Sequence, residues 1–253
     1  MTVKELYTAM SEKIPENLSC EWDNDGIMCA PDMSAEVNKV LITLDVTEEV
    51  ADYAIEREFD LIISHHPLIF KPITHLTEEN HVARKLLKLA SNNISVFSFH
   101  TRADKVSGGV NDILAEEIGL KNVRPFGEDS LGRIGELSEE SELEPFAEDV
   151  KLALGADSVR YSDGYNSVRR VAVVGGDGKD MVRDAIAAGA DTYLSGRMSY
   201  NVMEEAADMG INLVEAGHYF TEFQVTSFFS KLVLELDDGM YVEIADSNMI
   251  KVI

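Results

Sequence analysis

The stretch SHHPLIF, residues 64–70, sets His65 and His66 side by side where an apolar run ends. The residues before it, DLIIS, read as a short buried strand. Pro67 has no N–H, so neither a helix nor a ladder continues directly from the pair. At such a turn the two imidazoles can aim at two nearby points. Two further His-x-x-x-acid pairs follow apolar runs: His100 with Asp104 after ISVFSF, and His218 with Glu222 after INLVEAG. Spaced four apart on a helical turn, a histidine and a carboxylate share one face and can chelate. Each feature alone also suits an ordinary polar residue at a strand or helix end. Together they offer four imidazoles and two carboxylates, a donor set for borderline divalent metals such as zinc, iron, manganese, cobalt or nickel. Two such ions about 3.5–4 Å apart would share a carboxylate and hold a hydroxide as nucleophile at neutral pH.

The elements that must position these residues repeat. Residues 40–68 align without a gap on residues 171–199, with Val40/Val171, Ala54/Ala185, Ile55/Ile186, Asp60/Asp191 and Ser64/Ser195 identical. Each copy reads as strand, polar turn, helix and second strand, which implies parallel pairing through right-handed crossovers. Each then runs through another helix to a third strand and its His-x-x-x-acid pair. The fold expected is α/β, with two similar domains from an internal βαβ duplication. Residues 1–125 plus 225–253 would form the first, and 126–224 the second. Ligands of open α/β sheets bind beyond the carboxyl ends of strands, so all six donors are expected at one interdomain cleft.

The 253 residues suffice for two medium domains with real cores. A net charge of −24 argues against nucleic acid and anionic membrane surfaces as partners. The N-terminal residues Val3, Leu6, Tyr7, Met10 and Ile14 fall on one helical face, so this segment reads as a first helix rather than a signal peptide. No apolar run is long enough to span a membrane. Cys20 and Cys29 form no close motif, which points to a reducing cytoplasm without disulfides or thiolate metal sites. The acidic stretch 128–150 reads as surface loop and helix. WDNDG, residues 22–26, reads as a turn. VVGGDGKD, residues 173–180, is a glycine-rich strand-to-helix turn of the kind that can cradle a phosphate, without a full nucleotide fingerprint. His75 and His81 read as the approach to the next helix.

WDNDG, SHHPLIF, HTRAD with GGVND, GAD-x-YLSG and AGHYFTE, in this order, resemble the Nif-three-like dinuclear-metal family, whose members often carry the label GTP cyclohydrolase I type 2 homologue. The likeness covers nearly the whole chain. It implies a two-domain α/β subunit, a dinuclear metal site and a toroidal homohexamer. It places the ligands of two divalent metals on His65, His66, Asp104, His218 and Glu222, with His100 close by. After the LSG strand the family usually has an acidic residue and then a histidine, where this chain has Arg197 and Asn201.

The function expected is a dinuclear-metal-dependent hydrolase in which a metal-bound hydroxide attacks and His100 shuttles the proton. The family label makes this GTP cyclohydrolase-like purine ring opening of a nucleotide. Arg102, Lys105 and Arg197 are scattered candidates to meet its phosphates. The alternative is a non-catalytic metal-binding or regulatory hexameric assembly.

Overall fold

Thr2 caps the first helix, α1 (Val3–Lys13): its hydroxyl accepts from the Glu5 N–H, and the Glu5 carboxylate accepts from the Thr2 N–H. Val3, Leu6, Met10 and Ile14 are buried, as their spacing requires. Strands β1 (Gly26–Cys29), β2 (Lys39–Thr43), β3 (Leu61–Ser64) and β4 (Ser95–Ser98) follow. Helix α2 (Glu48–Glu56) crosses from β2 to β3, and α3 (His81–Ser91) from β3 to β4; the short α4 (Thr101–Lys105) comes next. Then come α5 (Val110–Glu117), β5 (Lys121–Phe126), β6 (Gly132–Ser141), α6 (Leu143–Leu154), β7 (Arg160–Ser162) and β8 (Val168–Val174). Helix α7 (Val182–Ala187), β9 (Thr192–Ser195), α8 (Tyr200–Asp208), β10 (Asn212–Glu215) and α9 (His218–Glu222) complete this run. Helix α10 (Val225–Leu236) and β11 (Tyr241–Ile244) close the chain of this computed structural model, which describes residues 1–253.

The chain divides into two units, Met1–Val106 with Val225–Met249, and Ser107–Gln224 with Ile250–Ile253. In the first, the sheet order is β1-β4-β3-β2-β11, parallel except for β1 at the edge. Leu41, Ile62 and Val96 pack against Val50, Ala54, Leu86 and Leu89 of α2 and α3. Strands covered on both faces read as continuous apolar runs, which is why β2 and β3 carry so few polar residues.

The second unit has the order β5-β6-β8-β9-β10-β7, with β8, β9 and β10 parallel. Val171, Val173, Leu194 and Val214 face Leu114, Phe146 and Val150. Their neighbours Ala172, Val174, Tyr193 and Leu213 face the opposite side, with Val182, Ala185 and Ala206. Residues 107–125, assigned from the sequence to the first domain, cluster here because β5 pairs with β6. The acidic stretch 128–150 is also more than loop and helix. Residues 132–141 form a strand, whose first half is buried between β5 and β8 while its acidic second half runs out into solvent.

The repeat seen in the sequence has a structural counterpart in register. Val40 pairs with Leu61 in the first unit and Val171 with Thr192 in the second, at the same sequence offset. The third strands match too, Leu61 with Ser95 and Thr192 with Asn212. No helix is long and apolar enough to cross a membrane.

Arg102, a sequence candidate for meeting phosphate, is instead a buried anchor of the first unit. Its side chain is 0% exposed, with Nε 3.1 Å from Asp25 Oδ2, Nη1 donating to the Ile14 carbonyl at 3.2 Å and Nη2 to Tyr7 Oη at 3.3 Å. Its guanidinium also lies 4.5 Å from the centre of the Phe99 ring. Removing one partner of a buried pair strands the other charge, at a cost of about 3–5 kcal/mol. Arg102→Ala should lower unfolding free energy by that order in urea titration, and adding Asp25→Asn should restore part of it.

Candidate metal centre

The ends of β3 and β4 hold the first group of donors. The His65 and His66 N–H groups donate to the Thr43 and Leu44 carbonyls, at 3.3 and 3.0 Å, so the turn just past β3 stays tied to the end of β2. Ser64 Oγ donates to the His66 carbonyl at 2.8 Å and lies 2.8 Å from Ser98 Oγ, tying the turn to β4. Each imidazole then engages one ring nitrogen. His65 Nδ1 donates to the Phe99 carbonyl at 2.9 Å. His66 Nδ1 is 2.8 Å from Asp45 Oδ1, and His100 Nδ1 is 2.8 Å from Asp23 Oδ1. The oxygen partners assign the proton to Nδ1 in all three rings, since a carbonyl or carboxylate oxygen only accepts.

The donor atoms of His65, His66 and His100 lie within 4.8 Å of one another. Asp104 Oδ1 stands 3.5 Å from His65 Nε2. Burial disfavours the charged form of His100, but its bond to Asp23 and the charges of Asp104 and Asp23 outweigh it and raise its pKa. Burial likewise pushes Asp23 up, and the bonds from His100 and Thr101 more than reverse that, holding it ionised. Thr101 contributes both its N–H, at 3.0 Å, and its hydroxyl, at 2.6 Å.

In the second unit, His218 and Glu222 sit one helical turn apart on α9, with Nε2 3.0 Å from Oε2. The glycine-rich turn after β8 makes room for them. A Cβ on Gly176, where φ is +64°, would collide with the Glu222 carboxylate and come within 3.0 Å of His218 Nε2. Gly175 N–H donates to Asn111 Oδ1 at 2.7 Å, and Gly176 N–H to Thr221 Oγ1 at 3.0 Å. This turn, read from the sequence as a possible phosphate cradle, uses its glycines to approach the helix that carries the donors. The first unit's three oxygen-backed imidazoles, whose ligand atoms lie within 4.8 Å of one another, and the second unit's His–Glu pair are donor sets that could hold borderline divalent ions.

The two His-x-x-x-acid pairs are not equivalent in the structure. Helix α4 begins at Thr101, three residues past the end of β4, and α9 begins at His218, three past the end of β10. His218 therefore matches Thr101, and His100 matches the helix-capping Gly217. His218 and Glu222 form an intrahelical pair, whereas His100 turns to Asp23 and Asp104 approaches His65. Sequence reasoning missed Asp23 and Asp45. The only signal for the first was WDNDG, read as a turn; the second closes the apolar run of β2. Lys105 is half-buried beside Asp104, and Arg197 is 71% exposed, 3.8 Å from Asp177. Asn201 lies on α8, its side chain bonded to Ser199.

A family model described as Duf34/NIF3 (NGG1p interacting factor 3) matches residues 1–252. The chain belongs to this family. A Clostridium perfringens member, called a GTP cyclohydrolase 1 type 2 homolog, is 33% identical over 246 residues, 94% of each chain. A Nostoc protein of the same description is 34% identical over 210 residues, 80% of this chain and 78% of that one. Among solved structures, a Bacillus cereus protein related to NIF3 superposes with a TM-score of 0.90 at 25% identity, covering 100% of this chain and 99% of that one. Reduced HcgD from Methanocaldococcus jannaschii gives 0.84 at 29% identity, over 96% and 97%.

The glycine cradle makes a testable statement without any metal present. Gly176 and Gly108 both have positive φ, +64° and +75°, but a Cβ on Gly108 meets nothing within 4 Å. Gly108→Ala carries the backbone strain alone, on the order of 1 kcal/mol. Gly176→Ala adds the collision with Glu222 and should lower the melting temperature of chelator-treated protein clearly further. Equal losses would show that Glu222 moves aside freely.

Proposed function

We propose that the chain is a dinuclear-metal-dependent hydrolase whose metal ligands are His65, His66, Asp104, His218 and Glu222. The observation that carries this reading is the common arrangement of three imidazoles: each commits Nδ1 to an oxygen of the fold, and one ligand atom of each lies within 4.8 Å of the others. Backed histidines of this kind are what metal sites use to hold tautomer and ring orientation. Divalent metals bound there would supply Lewis acidity and a water of lowered pKa.

The chain's own residues then have distinct tasks. Asp45 and the Phe99 carbonyl hold His66 and His65 in the ligating tautomer. Asp23 holds His100 with Nε2 free to take a proton, and its negative charge favours the imidazolium that results. Thr101, bonded twice to Asp23, keeps that carboxylate from turning away. Relatives described as GTP cyclohydrolase 1 type 2 homologs make hydrolytic opening of a purine ring, with GTP as first candidate, the reaction to test. A homohexamer remains part of this proposal, on the strength of the family resemblance.

Elemental analysis of the purified, metal-reconstituted protein should find two metals per chain, falling toward one or none in His65→Ala and in Glu222→Ala. No metal in the native protein after reconstitution would reduce these residues to structural polar groups. With metal restored, GTP should yield formate, and His100→Gln should cut the rate by roughly 10²–10⁴-fold while metal content stays unchanged. Two bound metals with no formate would remove the GTP reading and favour a metal-binding or regulatory role.

A further inference from the structure

Trp22 is the chain's one tryptophan, and it is 64% exposed. Phe70, the last residue of SHHPLIF, is 49% exposed. Their rings meet edge to face at 6.3 Å, and each stands edge-on to the His100 imidazole, at 6.2 and 6.3 Å. The segments that bear them are firmly held. Asp23, next to Trp22, has a fully buried carboxylate bonded to His100 and Thr101. The Asn24 side-chain amide donates to the carbonyl of Ile69, next to Phe70. Two loops are thus locked to each other and to His100, while the large aromatic rings they carry are left in water.

We propose that Trp22 and Phe70 form a stacking platform that presents a planar heteroaromatic ring of the substrate beside His100. This deepens the hydrolase reading and rests on it for the word substrate. The size of the patch supports a small ligand. Side chains of this kind carry about 150–250 Å² each, so the exposed parts come to roughly 250 Å², well short of the ~800 Å² per partner of a standard protein interface. That area suits one or two fused rings. The position supports it as well, because a ring resting on Trp22 or Phe70 borders the His100 imidazole, 6.2 and 6.3 Å from their ring centres. Stacking is also tolerant of ring identity, since every heteroaromatic base has a π-face.

Trp22 provides its own readout, because no other tryptophan contributes to the emission. The metal-loaded protein would be titrated with guanosine, adenosine and a pterin, and with ribose 5-phosphate as a non-aromatic control. At least one of the three ring compounds should quench Trp22 emission saturably, and the sugar phosphate should not. By calorimetry, Trp22→Leu should weaken the quenching ligand tenfold or more, Phe70→Leu should weaken it less, and Trp22→Phe should retain most of the binding. Metal content should be unchanged in all three variants, which separates loss of the platform from loss of the metal centre. No quenching by any ring compound, or unchanged affinity in Trp22→Leu, overturns the proposal. So does an emission change on dilution that tracks a change in mass by light scattering, which would make the pair a contact between copies of this chain. Failure of the hydrolase reading looks different: ring binding and its loss in Trp22→Leu persist, but none of the bound ring compounds is turned over.

Discussion

Three imidazoles at the strand ends of the first sheet each bond through Nδ1 to an oxygen whose position the fold decides, and the chemistry of this unit follows from that. A neutral imidazole has one donor and one acceptor nitrogen, so committing one defines the other. For His65 the partner is the Phe99 carbonyl, held because Phe99 N–H bonds to the Ser64 carbonyl at 2.9 Å. For His66 and His100 the partners are the carboxylates of Asp45 and Asp23. Asp23 is itself secured by Thr101, and the neighbouring Asp25 by Arg102, whose guanidinium reaches the end of α1. Thr101 and Arg102, adjacent in sequence, thus anchor the two carboxylates on either side of Asn24, and the first of these holds the ring nitrogen of His100. The fully buried Arg102 has in Asp25 a charge partner that is itself only 7% exposed.

The second unit positions its donors by steric means. His218 and Glu222 need only one helical turn to come together, and the helix provides that. What they require is space, which the turn after β8 supplies by having no side chain at Gly176. Gly196, after β9, is equally confined, since a Cβ there would crowd the Thr221 hydroxyl and the His218 backbone. Glycines that look like a ligand-binding loop are there because two strand ends pack tightly against α9.

The two units share strand order and register through three consecutive parallel strands, yet their His-x-x-x-acid pairs are one residue out of step. One residue on a helix is a rotation of about 100°. That rotation separates a histidine inside the helix, paired with its own i+4 carboxylate, from one at the cap whose ring turns back to a distant loop. A shared scaffold therefore carries two different local solutions, and identical spacing in the sequence did not mean identical geometry.

Much of the scaffold was legible in the sequence: the first helix, the parallel strand–helix–strand units, their repetition, and the placement of six candidate donors at strand ends. Hydrophobic period and strand length are local properties, and residues a few positions apart reveal them. The apolar run DLIIS also marked a short buried strand, as β3 is. The sequence did not reveal that residues 132–141 extend the second sheet, because their acidic half masks the buried half. Nor did it mark Asp23 and Asp45 as partners, or show that each of the three imidazoles is backed through Nδ1. His100 and Asp23 are 77 positions apart, and His66 and Asp45 are 21 apart. Pairings of that kind depend on where strands end in space, and no periodicity in the chain records them. The sequence by itself determined which residues have the chemistry to hold a metal and that they sit at strand ends; the tertiary structure decided their tautomers, their backing carboxylates and the room around them, because each depends on atoms brought together from distant parts of the chain.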